Sequence, residues 1–189
     1  MARDAEATRR RLLTAAADEF AAHGIAGARV DRIATAAGSS KAQIYHYFGS
    51  KERLFDAVLV GVVSRAVTEV PIDVDDLPAY AGRLFDHYED DPRIARLAIW
   101  CSVERAVRAE RLDALSTAVE DELSLIRRAQ ATGSLTSTRQ AVDLLNLVLH
   151  MSLLWALVLP ELEDRISRTS RAHRRQVITD AVATMLVPT

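Results

Sequence analysis

An all-α fold is predicted by two features of the chain. Apolar residues recur at intervals of three and four in segments that are separated by glycine, proline or helix-capping residues. No stretch alternates apolar and polar residues as a half-buried strand does. The spacing predicts about nine helices. They are divided between a helix-turn-helix domain of three helices over residues 1–50 and a helical bundle over residues 51–189.

The first helix is predicted from Thr8 to Ala22. Leu12, Ala16 and Phe20 recur every fourth residue and therefore share one face. Gly24 follows at the position where a helix commonly ends in a left-handed residue, which costs glycine little.

The next two helices are short and are joined by a tight turn. Gly38 provides the turn, and the Ser40 hydroxyl can cap the third helix. Ile44 and Phe48 are four residues apart and point inward. The second helix is predicted from four apolar residues at positions i, i+3, i+4 and i+7: Val30, Ile33, Ala34 and Ala37.

The outward side of the third helix carries hydrogen-bond donors and flat rings rather than the Glu, Lys and Ala of an ordinary helix surface. Gln43 can form two hydrogen bonds with adenine, and Lys41 or His46 can donate to guanine. These features predict binding to double-stranded DNA. The outward residues are Lys41, Gln43, Tyr45, His46 and Tyr47.

The stretch from Thr8 to about Phe55 resembles the N-terminal domain of the TetR (tetracycline-repressor) family of transcriptional regulators. The resemblance implies that Tyr45, Tyr47 and Lys51 contact DNA phosphates, with Lys51 in the first turn of helix four, where free amides favour anions. The residues that carry it are Leu12 to Ala16, Phe20, His23, Gly24, Val30, Ile33, Ala34, Ala37, Gly38, Ser40, Ile44, Tyr45, Tyr47, Phe48, Ser50, Lys51 and Leu54.

Two residues depart from the family pattern. Arg29 stands where a threonine usually caps helix two, and arginine cannot accept a hydrogen bond from the helix amides. Its charge can contact a phosphate instead. Ala42 stands where glycine is common, so its methyl group changes how closely helix three approaches the bases. With Ser40, both are predicted to lie at the DNA interface.

The resemblance also implies a function and an assembly. The protein is expected to be a repressor that a small-molecule effector releases from its operator. A DNA-binding regulator without an inducer is the alternative within the same class. The family dimerises through a pair of helices that corresponds to helices eight and nine here, so Val182 on helix nine is expected in a homodimer interface.

Composition indicates an intracellular protein without a metal or cofactor. The net charge is −2, and residues 1–60 carry nine Lys+Arg and seven Asp+Glu, a balance of +2. The single Cys101 cannot form an intramolecular disulfide, and the N-terminus lacks an apolar signal core, so cytoplasmic localisation is expected. No histidine pair has zinc-site spacing, and no phosphate-binding loop or nucleophile motif is present.

The remaining helices are predicted from capping and proline signals. Helix eight is the most apolar, but the polar stripe Asp143, Asn146 and His150 argues for a buried bundle helix rather than a membrane span. Whether this stripe faces a pocket or a dimer partner is left open. Helix four is predicted to end at about Glu69, five spans Pro78–Tyr88, six begins at Asp91-Pro92, seven runs from about Leu112 to Gly133, eight spans Thr138–Leu159, and nine spans Ser170–Val187.

An effector site is predicted among helices five to eight. Trp100 and Glu104 share a face of helix six, while His150 lies next to Met151 and Trp155 on helix eight. An apolar pocket with few polar groups is the usual make-up of a small-molecule site. Two alternatives remain open. Glu104 and His150 can pair in a closed core, or they can serve a helical enzyme as a general acid/base pair.

Overall fold

The computed structural model describes residues 2–108 and 113–187, and every regular element in these ranges is a helix. The all-α prediction is confirmed, with ten α-helices in place of about nine. They are α1 (Ala2–Gly27), α2 (Val30–Ala36), α3 (Lys41–Phe48), α4 (Lys51–Glu69), α5 (Leu77–Asp90), α6 (Pro92–Arg108), α7 (Asp113–Thr132), α8 (Ala141–Ser152), α9 (Pro160–Ile166) and α10 (Arg171–Leu186), with a 3-10 helix at Leu154–Ala156.

The extra helix is α9, which lies between the predicted helices eight and nine, and the predicted helix eight is itself interrupted. The Ser152 hydroxyl lies 2.8 Å from the Val148 carbonyl oxygen and 3.2 Å from that of Ala81. A serine bonded to the carbonyl four residues earlier favours a bend, and α8 ends there. Pro160 begins α9 instead of ending helix eight, because proline is well suited to the first helical position.

Most of the other predicted boundaries agree with the structure. α4 ends at Glu69, two residues before Pro71, and α6 begins at Pro92. Gly133 follows α7 with a φ of 79°. Leu112, the predicted start of helix seven, lies outside the described residues. Asp76 starts α5 by accepting a hydrogen bond from the Ala79 amide at 3.0 Å.

The chain forms two compact units. The first is drawn from residues 1–65 and 93–115. Ile33, Ile44 and Phe48 are buried in its core, which confirms the inward faces predicted for helices two and three. Phe20 and Phe55 meet edge to face with ring centroids 5.1 Å apart.

The second unit, drawn from residues 66–92 and 116–189, is held together by apolar packing and by ion pairs between α5 and α10. Arg175 donates to Asp86 at 2.7 Å, and its guanidinium lies so close to Gly82 that a Cβ there would approach Cζ to 2.8 Å. Arg171 pairs with Asp90 at 2.6 Å. The close approach at Gly82 lets α10 pack directly against α5.

Val182 belongs to this core and not to a dimer interface. It is 0% exposed, and Ile178, four residues earlier, is also buried. The expectation that Val182 contacts a second chain is therefore wrong, because α10 turns this row of side chains inward. Asp143, Asn146 and His150 on α8 are exposed. Within the described ranges, no helix has the length and apolar character needed to cross a bilayer.

The burial of Val182 predicts a folding defect for Val182→Glu rather than a clean monomer. An unpaired buried carboxylate costs several kcal/mol, which should lower the thermal midpoint by roughly 10 °C. Ala183→Glu adds the same charge one residue later at an exposed position and should leave the midpoint nearly unchanged. Thermal unfolding followed by circular dichroism measures both. Equal midpoints for the two variants would contradict the burial of Val182.

Candidate nucleic-acid interface

The turn between α2 and α3 is built by local signals. Gly38 adopts a φ of 58°, which places it in the left-handed region. Ser40 Oγ accepts a hydrogen bond from the Gln43 amide at 3.2 Å, as predicted for a cap. Gln43 Oε1 in turn accepts from the Ser40 amide at 3.2 Å and from the Ser39 hydroxyl at 2.6 Å. Ser40 and Gln43 thus form a complete capping box.

The capping box changes how Gln43 can reach DNA. Two hydrogen bonds to adenine require both the carbonyl oxygen and the amide NH₂ of Gln43. In this structure the carbonyl oxygen is already bonded to Ser40 and Ser39. To form two hydrogen bonds with adenine, Gln43 must therefore break its bonds to Ser40 and Ser39. The Ser-x-x-Gln spacing of residues 40–43 is the sequence signal for this arrangement.

The outer surface of α3 is exposed. Tyr45 is 48% exposed, whereas Tyr47 is half-buried and packs against the core of the first unit. Lys41 pairs with Asp31 at 2.5 Å, but both side chains are more than half exposed. Such a pair contributes only about 0–1 kcal/mol, so a phosphate can compete for the lysine. The other predicted residues on this exposed surface are Ser40, Ala42, Gln43 and His46.

Arg29 leaves α2 without a side-chain cap, as its chemistry predicts. Glu19 of α1 fixes this end instead, because its carboxylate accepts from the Arg29 amide at 2.8 Å and from Arg32 Nε at 2.8 Å. Burial opposes ionisation of Glu19, but these hydrogen bonds outweigh it and lower the pKa of the carboxyl group. The Arg29 side chain itself is exposed.

Lys51 lies in the first turn of α4, as predicted. Its Nζ donates to the Ala28 carbonyl oxygen at 3.2 Å, and the side chain is half-buried. The ammonium group is therefore held beside the start of α2. Its contact with phosphate stays a prediction.

Trp100 and Glu104 lie against an interruption in α1. Gly24 has a φ of 65° and a ψ of −177°, which breaks the helix before it resumes to Gly27. In an unbroken helix the Ile25 amide would bond to the Ala21 carbonyl. Here the Ile25 amide donates to Glu104 Oε1 at 2.9 Å, and Trp100 Nε1 donates to the Ala21 oxygen at 3.4 Å. Two side chains one turn apart on α6 satisfy both groups.

The other residues predicted for the effector site lie in the second unit. Trp155 Nε1 donates to the Arg174 carbonyl oxygen at 3.1 Å, and Met151 packs with it against the core. His150 is exposed, and its Nδ1 lies 2.8 Å from the backbone carbonyl oxygen of Asn146. The hydrogen bonds described for Glu104 and His150 thus go to other partners. A single site lined by all five residues stays a prediction.

The second unit contains a polar group that was not predicted from the sequence. The Tyr80 hydroxyl donates to Glu122 Oε1 at 3.4 Å, and Tyr80 is 1% exposed. Burial raises the pKa of Glu122, although the hydrogen bond from Tyr80 acts against it. A signal was available, because Glu122 occupies the i+3 position in an apolar row that runs from Val119 to Ile126.

Replacing Gly24 tests the interruption in α1. Gly24→Ala would force an alanine into a glycine-only conformation and place its Cβ 2.5 Å from Glu104 Oε1. We expect it to lower the free energy of unfolding by about 2 kcal/mol or more. Gly61→Ala is the matched control, since Gly61 lies inside α4 with nothing within 4 Å of the new Cβ. The control should raise stability by about 0.5–1 kcal/mol. Denaturant unfolding that shows the same gain for both variants would contradict the strained geometry.

Comparison with known proteins agrees with this arrangement. Residues 12–58 match the model described as bacterial regulatory proteins, tetR family, and residues 76–183 match the tetracyclin repressor-like C-terminal domain. The HTH-type transcriptional repressor SCO4008 of Streptomyces coelicolor is 39% identical over 86% of this chain and 84% of its own length. The HTH-type transcriptional repressor NicS of Pseudomonas putida is 29% identical over 67% of this chain and 63% of its own.

Solved structures give the same result. The putative transcriptional regulator SCO4942 from Streptomyces coelicolor superposes with a TM-score of 0.82 at 38% identity, covering 94% of this chain and 97% of that one. A TetR family regulator from Marinobacter aquaeolei superposes with a TM-score of 0.76 at 18% identity over 97% of each chain, which supports the fold alone. The chain belongs to the TetR family of DNA-binding transcriptional regulators.

Proposed function

We propose that the protein is a homodimeric repressor that binds operator DNA through α3 and leaves it when a small-molecule effector binds. The observation that carries the proposal is the exposed polar surface of α3, from Lys41 to His46, on a helix whose start is fixed by a capping box. The relatives named as repressors support this direction of regulation. Residues 1–50 would bind DNA, and residues 51–189 would bind the effector and a second copy. Such a regulator acts in the cytoplasm, where bacterial DNA lies.

The DNA contacts divide into two classes. Gln43, Lys41 and His46 are placed to reach base edges, while Tyr45 and Tyr47 are suited to phosphates. Further phosphate contacts are assigned to Arg29, Ser40 and Lys51, and the Ala42 methyl group faces the bases.

Additional cations in α1 support binding to the DNA backbone. Arg11 Nε donates to the Ala37 carbonyl oxygen at 3.3 Å and so lies beside the turn that precedes α3. The Arg9 guanidinium lies 5.7 Å from the ring centroid of Phe48 at the end of α3. Both arginines are exposed and can approach phosphates that flank the helix.

A dimer would let two α3 helices read two half-sites on one face of the duplex. The pair predicted from sequence, helices eight and nine, corresponds to α8 with the segment after it and to α10. We place the apolar centre of the interface on α8 and the segment after it, because large apolar residues are exposed there. The α10 helix exposes mainly polar and small side chains. The exposed apolar residues are Val142, Leu154, Leu157, Leu159 and Leu162.

Two substitutions should separate base reading from backbone binding. Gln43→Ala should cost roughly 1–3 kcal/mol on the operator and relax base preference at one position of each half-site. Lys51→Ala should weaken operator and scrambled duplex alike and reduce the salt dependence. Fluorescence anisotropy across a salt series, with an operator found by footprinting the DNA upstream of the gene, measures both effects.

Gln176→Ala is the control for this experiment, since it removes the same exposed side chain from the second unit. It should bind as the wild type does. If Gln43→Ala also binds operator and scrambled duplex as the wild type does, α3 is not the reading helix.

The proposed interface can be tested with Leu157→Glu. Leu157 is 52% exposed, so a charge should be tolerated by the protomer but not by an apolar interface. We expect dissociation to monomers at concentrations where the wild type is dimeric. Ser137→Glu adds the same charge at an exposed position outside this segment and should remain dimeric. A sedimentation profile of Leu157→Glu that matches the wild-type dimer would move the interface elsewhere.

A further inference from the structure

The capping box at the start of α3 gives the oxygen and the nitrogen of the Gln43 side-chain amide different roles. The oxygen accepts hydrogen bonds from the Ser40 backbone amide at 3.2 Å and from the Ser39 hydroxyl at 2.6 Å. A backbone N–H can only donate, so the Gln43 atom that meets the Ser40 amide must be the oxygen. Both lone pairs of that oxygen are therefore used. The NH₂ group keeps its two donors, because no residue in the described part of the chain accepts a hydrogen bond from it.

Ser39 is held in place by the turn that ends α2. Gly38 adopts the left-handed conformation, and its amide donates to the Thr35 carbonyl oxygen at 3.1 Å. The Ser39 amide donates to the Ala34 carbonyl oxygen at 2.9 Å. These are the two backbone bonds of a Schellman motif, which fixes the path of the chain at a helix end. The turn itself therefore positions the half-buried Ser39 side chain to bond to Gln43.

Contact with DNA favours a closed capping box. The first amides of a helix have no partner within the helix, and the box satisfies those of Ser40 and Gln43. A DNA surface against this end of α3 displaces the water that could replace these bonds. An opened box would leave the Ser40 amide unpaired at that surface, and an unpaired donor away from water is costly.

We propose that Ser39 is a positioning residue that makes Gln43 read guanine rather than adenine. Guanine presents two adjacent acceptors in the major groove, N7 and O6, and the NH₂ group of Gln43 offers two donors. In an A·T pair, the adenine amino group lies between adenine N7 and thymine O4, and it requires an acceptor. With its oxygen held by Ser39 and Ser40, Gln43 has no acceptor to offer.

A second side chain of α3 favours the same base. Lys41 is also placed to reach base edges, and an ammonium group carries three donors and no acceptor. The inference rests on the proposed function, because it names the base that the DNA-reading helix selects.

Affinities for a set of operator variants test the inference. Each position of the operator found by footprinting is changed in turn to all four base pairs, and binding of the full-length protein is measured by fluorescence anisotropy. The position that Gln43 reads is the one at which Gln43→Ala loses base preference. At that position we expect the wild type to bind guanine about tenfold more tightly than adenine on the same strand.

Substitutions of Ser39 test its positioning role. Ser39→Ala should lower the guanine-to-adenine ratio about threefold or more, because one hydrogen bond instead of two then holds the Gln43 oxygen. Ser39→Thr keeps the hydroxyl group and should keep the ratio. In the Gln43→Ala background, Ser39→Ala should have no further effect on base preference, since Ser39 acts through Gln43. Thr35→Ala is the matched control, because it removes an exposed hydroxyl group that bonds to the Asp31 carbonyl oxygen within α2. It should leave the ratio unchanged.

Two results would overturn the inference. The first is a wild-type preference for adenine at the position that Gln43 reads. The second is an unchanged ratio in a Ser39→Ala variant that circular dichroism shows to be as helical as the wild type. If Ser39→Ala does not fold, the wild-type preference still decides which base Gln43 reads.

The same measurements separate this inference from the proposed function. If the protein binds its operator specifically, but no position depends on Gln43 or that position favours adenine, DNA binding stands and the inference fails. If no duplex is bound in preference to scrambled DNA, the proposed function fails, and the inference fails with it.

Discussion

The broken turn of α1 at Gly24 is the constraint on which the first unit depends. Gly24 leaves the Ala21 carbonyl and the Ile25 amide without their usual helical partner, and unpaired buried backbone groups are costly. Trp100 and Glu104 satisfy both groups from α6. The chain that leaves this turn leads directly into α2, whose first residues are fixed by Glu19 of α1. The placement of α2 and α3 thus begins with a glycine that no other residue can replace without strain.

Burial and existing hydrogen bonds or ion pairs decide which side chains of α3 are available for DNA. Ile44 and Phe48 hold one side of the helix in the core, so the opposite side is presented to solvent as a unit. Within that surface, the Gln43 side-chain oxygen accepts a hydrogen bond from the Ser40 amide, and this bond must break before the oxygen can bind a base. Lys41 needs to break only its exposed ion pair with Asp31. We expect adenine reading by Gln43 to be coupled to a change at the start of α3.

Features that are fixed by contacts between neighbouring residues could be predicted from the sequence. Features that depend on contacts between residues far apart in the chain could not. Gly38, Ser40 and Pro92 act on their immediate neighbours, and the turn, the cap and the start of α6 were predicted correctly. The end of α8 was missed because Ser152 also contacts Ala81, which is 71 residues away. Val182 was misassigned because periodicity shows that a face is apolar but not what covers it.

The candidate sites were also predictable only where they depend on contacts between neighbouring residues. The exposed DNA-binding surface could be predicted, since α3 is short and its inward residues are unambiguous. The contact of Glu104 with Ile25 and that of Glu122 with Tyr80 join residues 79 and 42 positions apart, which no local pattern could reveal. Glu104 is a polar residue on an apolar helix, as a ligand contact would be, but it lies against the backbone of α1. Glu122 lies within an apolar row of α7, which gives no indication of its contact with Tyr80.

If two copies of α3 read a specific duplex sequence, the full-length protein should select it from a random pool of duplexes. We expect enrichment of a two-fold symmetric motif whose half-sites are about one helical turn, or a multiple of it, apart. A folded, dimeric protein that enriches no motif over the starting pool would show that α3 does not read sequence in this way.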